Sequence, residues 1–158
     1  METNMKLAGS TELSQAHLPN LWADALRIFF EAMVSGQEDY VRSPWTVRIK
    51  TLVNPSGNGF SRAVAILYNG EPIWDMYTKG QYDERAMPCL EAALRGAYQQ
   101  RHWLGGRGQQ TFALVNVTYR NSAKGAFNKP FRGHELIRFN GSLLGEADTM
   151  GGPLIPTW

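Results

Sequence analysis

The densest group of side chains able to do chemistry is the stretch YRNSAKGAFNKPFRGHELIRF, Tyr119 to Phe139, with five basic residues, one acid and four aromatics. Lysine and arginine neutralise phosphates, and aromatic rings offer bases a face to stack on. Arg120, Lys124, Lys129, Arg132 and Arg138 supply the charge here, and Tyr119, Phe127 and Phe131 supply rings. A second mixture, Arg101, Trp103 and Arg107, lies just before it. Arg48 and Lys50, on the polar side of an alternating segment, complete the candidate nucleic-acid contacts. Arginine beside aromatics also marks protein interfaces, so a protein partner is the alternative.

Other reactive residue types point nowhere. His17, His102 and His134 are far apart, no pair has metal-ligand spacing, and Cys89 is the single cysteine. A zinc site and an intrachain disulfide are therefore not expected, and a reducing, cytoplasmic setting is. Cys89 reads as a small buried hydrophobe on a helix. The acid pairs Glu38–Asp39 and Asp83–Glu84 are adjacent, so helix or strand geometry points their carboxyls apart; they read as solvated or capping charges. NPSGNG reads as a turn, not a nucleophile elbow. No catalytic residue, metal site or cofactor is assigned.

These residues need a scaffold, and 158 residues with 43% hydrophobic and 19% charged side chains are enough for one domain with a real core. The polar first 18 residues read as loose, leaving a domain over residues 19–158. No apolar run is long enough for a membrane helix. The net charge of +2 hides an asymmetry: residues 1–94 carry eight basic and eleven acidic side chains, whereas residues 95–138 carry eight basic side chains and one acid. Such a concentrated positive field attracts phosphates if it is also concentrated in space.

The hydrophobic period names the elements. Leu21, Ala25, Ile28, Phe29 and Ala32 share one helical face, with Asn20 as expected cap and Gly36 as terminator. WTVRIKTLV alternates as a strand whose outer side is basic. FSRAVAILY and EPIWDMYT form a hairpin around Asn69–Gly70, and Pro72 places the second of them at an edge or points its missing donor outward. MPCLEAALRGAYQQRHW is a second helix, with Pro88 in its first turn and Leu90, Ala93, Leu94, Ala97 and Tyr98 facing the core. TFALVNVTY and HELIRF follow as strands. The tail GEADTMGGPLIPTW is Gly- and Pro-rich, with Leu154, Ile155 and Trp158 tucked onto the body. No internal repeat is visible. The expected class is α+β: a single domain with a three-to-five-stranded, mainly antiparallel sheet packed with two helices in α-β-β-β-α-β order.

The run AVAILYNGEPIWDMYTKG followed by LEAALRGAY resembles a double-stranded RNA-binding domain over residues 20–100. That resemblance implies recognition of A-form RNA by shape, with the first helix and an inter-strand loop in successive minor grooves. The chain departs from the family where the second helix begins, because Asp83 and Glu84 stand where lysines would grip phosphates. Three strands, a helix and a further strand also resemble the start of a ribonuclease H-like fold. The matching positions, Asn54, Glu91 and Asn116, supply one acid, too few for two metals. VTYRNSAKGAF is similar to a late segment of coenzyme A-dependent acetyltransferases, but GGRGQQ precedes a strand rather than a helix. The expected function is non-catalytic binding of RNA, structured or double-stranded, by an accessory or sequestering factor such as a viral or phage protein. A module that inhibits a host protein is the alternative, and an acetyltransferase-like enzyme ranks third. An edge strand and surplus aromatics also make a homodimer an expectation.

Overall fold

The structure is a computed structural model that describes residues 18–156. In chain order its elements are α1 (Leu18–Ser35), β1 (Asp39–Arg42), β2 (Trp45–Val53), β3 (Gly59–Tyr68), β4 (Glu71–Tyr82), α2 (Met87–Gln100), β5 (Thr111–Leu114), β6 (Val117–Lys124), β7 (Phe131–Phe139) and β8 (Ser142–Pro153). All eight strands join one antiparallel sheet in the order β1-β2-β3-β4-β8-β7-β6-β5. The class remains α+β, but the expected sheet of three to five strands is overturned by one of eight. The segment expected to be loose, residues 1–18, lies outside the described residues except for Leu18, as do His17 and Trp158. No helix of the described residues is long and apolar enough to cross a membrane.

The extra strands come from three places where local pattern misleads. Asp39–Arg42 is polar and short, yet it pairs with the start of β2 as a sheet edge. TFALVNVTY is not one strand: Val115 adopts φ 55° and turns the chain, so β5 and β6 pair as a hairpin. The Gly-rich tail is the largest surprise. Residues 142–153 form a twelve-residue strand in the middle of the sheet, paired with β4 on one side and β7 on the other. β4 is thus central, which overturns the first of the two readings of Pro72, an edge strand, and leaves the second. That proline sits opposite Leu67 at a register shift, beyond the first β4–β8 pair at Trp74 and Pro153, so its missing donor breaks no ladder bond.

The hairpin at Asn69–Gly70 forms as expected, with φ of 51° and 82°. α1 starts at Leu18, so Asn20 lies inside the helix rather than capping it; Gly36, at φ 68°, ends it. Leu21, Ala25, Ile28, Phe29 and Ala32 are all buried, as their spacing requires. α1 packs over β2 and its neighbours, closing a core with Trp45, Val47, Ile66, Trp74 and Met76. α2 covers the other half with Cys89, Leu90 and Ala93 against Tyr82, Tyr119, Ile137 and Ala147. Each fully buried aliphatic or aromatic side chain contributes about 1.5–3 kcal/mol. Of the tail, Ile155 packs on the α1 core while Leu154 is 52% exposed.

Both helices lie on one face, because strand alternation sends the apolar side chains of β2, β3 and β4 the same way. The connection between α2 and β5 descends onto that face as well. Residues 105–108 are buried, and at Gly105, with φ 89°, a Cβ would stand 2.9 Å from the Gly125 backbone O, so the approach requires glycine. The opposite face of the sheet carries no helix.

Candidate nucleic-acid interface

Strand alternation decides which charges reach the uncovered face. On β2 the buried positions are Trp45, Val47 and Ile49, so Arg48 and Lys50 point outward and are exposed. On β6 and β7, Tyr119, Asn121, Phe131 and Glu135 turn inward, leaving Arg120, Lys124, Arg132 and Arg138 outward. Lys129 lies in the turn between those strands. The ladder registers align one row across six strands: Lys50, Ala63, Tyr77, Met150, Arg132 and Lys124, each directly opposite the next. At about 4.8 Å per strand the row spans about 24 Å. Tyr77 is 43% and Met150 47% exposed at its centre, with the small Ala63 beside them. A depression of about 750 Å³ opens there, lined by Asp75, Tyr77, Lys124, Phe131, Arg132 and Met150.

The face is not uniformly positive. Asp148 and Glu146 project from β8 and hold His134, with Nδ1 2.7 Å from Asp148 Oδ1 and Nε2 3.5 Å from Glu146 Oε2. Asp75 on β4 adds a carboxyl that burial pushes above its ordinary value. Arg48 Nε stands 3.9 Å from Asp39 Oδ1, a solvent-screened contact of little strength. The free charge therefore gathers at the β6–β7 end. Arg120, Lys124, Lys129 and Arg132 make no salt bridge among the described residues. Arg138 donates to Gly141 O at 3.0 Å and makes no salt bridge among the described residues.

Arg101, Trp103 and Arg107 do not join this face. Arg101 is the left-handed cap of α2, at φ 54°, on the helix side of the sheet. Trp103 packs into the α1 core, with its ring centroid 4.8 Å from Phe131 and 5.2 Å from Phe127. Arg107 is only 3% exposed, and its charge is consumed by Glu135 on β7. Its Nε lies 3.1 Å from Glu135 Oε1 and its Nη2 2.8 Å from Oε2. The hydroxyls of Tyr82 and Tyr119 donate to the same carboxylate at 2.6 and 3.0 Å. Burial first, and the Glu135 charge second, raise both tyrosines above their ordinary value, so they remain protonated donors. Glu135 was the lone acid in the basic stretch because it is the internal counter-charge. The stretch's rings are internal too: Tyr119, Phe127 and Phe131 are buried.

Sequence reasoning missed Tyr77, Lys79 and Met150 on the open face. The signal existed in EPIWDMYTKG, where Trp74, Met76 and Thr78 point in and Asp75, Tyr77 and Lys79 point out. Met150 was hidden because its strand was read as a tail. No group of three or more metal-ligating side chains occurs among the described residues.

A family model, a domain of unknown function (DUF5680), matches residues 56–154, more than half of the chain, and the chain belongs to that family. The match runs from the β2–β3 turn to just past β8, so it takes in α2 and six of the eight strands. No curated protein and no solved structure matches the chain.

Proposed function

We propose that this member of the DUF5680 family is a non-catalytic RNA-binding protein that holds its ligand on the open face of the sheet. One observation carries the reading: Arg48 and Lys50 on β2 and Arg120, Lys124, Arg132 and Arg138 on the neighbouring strands β6 and β7 all share the face that no helix covers. Tyr77 and Met150, exposed between them, offer a base a flat apolar contact. A single strand fits this face better than a duplex does. The exposed side of α1 carries Asp24, Arg27 and Glu31 tied in salt bridges, and the turn before α2 carries Asp83 paired with Arg85, so a phosphate grip on the helix side is left to Arg95 on α2 and Arg101 at its cap. A single strand entering at Lys124 and Arg132 would cross Met150 and Tyr77 toward Lys50. RNA as ligand and the lone buried Cys89 both accord with a reducing cytoplasmic setting.

The test is a fluorescence anisotropy titration with single-stranded and duplex RNA at two salt concentrations. Single-stranded RNA is expected to bind more tightly, and affinity should fall steeply with salt. The double variant Lys124→Ala/Arg132→Ala should weaken binding and reduce the salt slope by about 1.4, at roughly 0.7 per lost phosphate contact. Tyr77→Ala should weaken binding with the salt slope unchanged. Absence of binding at about 50 mM salt would remove RNA as the ligand.

A further inference from the structure

On the helix-covered side of the sheet, away from the proposed RNA face, a cavity of about 420 Å³ opens between α2 and the ends of β2 and β3. Small-molecule sites commonly occupy roughly 300–1,000 Å³. The walls are mainly apolar, formed by Val53, Phe60, Met87, Leu90 and Leu94. Two guanidinium groups line it, from Arg62 and Arg107. Arg107 is neutralised by Glu135, and it also sits 5.5 Å from the Phe60 ring centroid. Arg62 is different. Its neighbours across the sheet are Thr51 and Thr78, both uncharged, and the Thr78 hydroxyl is already shared with Thr149 at 3.0 Å. No salt bridge reaches Arg62 among the described residues, and its Nε is buried without a hydrogen bond.

Arg62 is half-buried, and a partly desolvated cation with an unused donor gains from a counter-charge. Burial lowers the Arg62 pKa, and the Arg107 charge adds to that effect. The Tyr98 hydroxyl, buried against the same region, also lacks a partner among the described residues. Glu84 and Glu91 line the cavity too, but on exposed positions of the α2 side. Positive charge thus lies inside and negative charge toward the entrance. The inner surplus is one unit, because Glu135 already cancels Arg107. That balance suits one negative charge and disfavours a phosphate carrying two.

We propose that this cavity binds a small monocarboxylic acid with an apolar body, its carboxylate paired with Arg62 and its body against Phe60, Leu90 and Leu94. The carboxylate supplies the missing counter-charge to the part of the Arg62 guanidinium that lines the cavity, while the apolar walls limit water around the pair and strengthen it. Nothing in this site is shared with the open face, because Arg62 and Lys50 lie on opposite sides of the sheet.

Isothermal titration of the full chain with octanoate and with 1-octanol tests the proposal. Octanoate should bind at least about tenfold more tightly than octanol, the margin of one charge-assisted hydrogen bond. Arg62→Gln should erase that preference while leaving the unfolding midpoint unchanged or raised, since it removes an unpaired, half-buried charge. A purely structural arginine would instead lower the midpoint and leave any carboxylate preference in place. Met87→Trp, which fills the mouth from a partly exposed position, should keep the native circular dichroism spectrum and lose octanoate binding. Equal affinities for octanoate and octanol, no octanoate binding, or an Arg62→Gln chain that keeps the preference would each overturn the assignment.

Discussion

Replacing Glu135 by glutamine removes the counter-charge of a guanidinium that water does not reach. Glu135 is 0% and Arg107 3% exposed, so neither can recover solvation in place. Four hydrogen bonds end on the carboxylate: two from Arg107 at 3.1 and 2.8 Å, and one each from Tyr82 and Tyr119 at 2.6 and 3.0 Å. Breaking a buried pair from one side costs about 3–5 kcal/mol. Arg107→Met leaves the carboxylate with two hydroxyl donors and no cation, and falls in the same range. The double variant Arg107→Met/Glu135→Gln holds no buried charge. Its residual loss is a tyrosyl hydroxyl left without an acceptor, about 1–3 kcal/mol, because the glutamine carbonyl still serves the other. The double variant is thus expected to be more stable than either single, with a coupling of at least about 3 kcal/mol. Urea unfolding followed by circular dichroism measures all four chains, provided the slope with urea stays constant. A domain of this kind has about 5–15 kcal/mol in total, so a single variant with no folded baseline has lost at least the wild-type stability. Either single variant within about 1 kcal/mol of wild type, or a double variant whose loss equals the sum of the two singles, would refute the reasoning.

Three further expectations follow from named contacts. Trp74→Phe removes the Nε1–H donated to Phe127 O at 2.8 Å in the α1 core, and leaving that carbonyl unpaired should cost about 1–3 kcal/mol in a thermal or urea melt. Gly70→Ala should cost about 1–2 kcal/mol from backbone alone, since φ is +82° and nothing lies within 4 Å of the added Cβ. Asp83 has its pKa lowered to about 2 by hydrogen bonds from the Arg85 side chain and backbone. A depressed carboxylate stabilises above its unfolded value and loses that contribution as pH falls through its folded value. Asp83→Ala should therefore melt below wild type at neutral pH, with the gap closing as pH falls below about 3.9 toward 2. A gap that stays constant over that window would exclude the linkage.

The elements that could be read from sequence were those whose own pattern decides them. α1 and α2 show helical spacing, and β2 and the Asn69–Gly70 hairpin show strand alternation and a turn that accepts positive φ. The unread half is decided by partners distant in sequence. β8 lacks the usual β-branched content because it packs closely between β4 and β7: Ala147 and Gly151 face inward opposite Gly80 and Met76, and a Cβ on Gly151 would clash with the Asp75 backbone O. The basic stretch was half legible. Its charges do share a surface, but only the two-residue period could show that its rings and Glu135 turn the other way. Arg107 sits among glycines in a segment that reads as a solvated loop, and nothing local reveals that Glu135, 28 residues later, holds it. Arg62 was passed over for the opposite reason, as one more charge on an alternating strand.

The two halves of the chain repeat an order that the sequence does not display. Each is a helix followed by four strands, and the last strand of each, β4 and β8, meet at the centre of the sheet. Such an arrangement, related by an approximate two-fold axis through the sheet, necessarily puts both helices on one face and leaves the other bare. The halves then differ in what they pack. α1 brings Trp22, Phe29, Phe30 and Met33 and fills its own side with aromatic area. α2 brings Leu90 and Tyr98 but otherwise small residues, Cys89, Ala93 and Ala97. The Gly105–Gly108 segment makes up part of the shortfall by carrying Arg107 down to Glu135. What it does not reach, between α2 and the ends of β2 and β3, is the cavity that holds Arg62. The symmetry explains the open face, and larger side chains at the α2 positions that line the cavity, such as Met87, should close it without touching the charges on the open face.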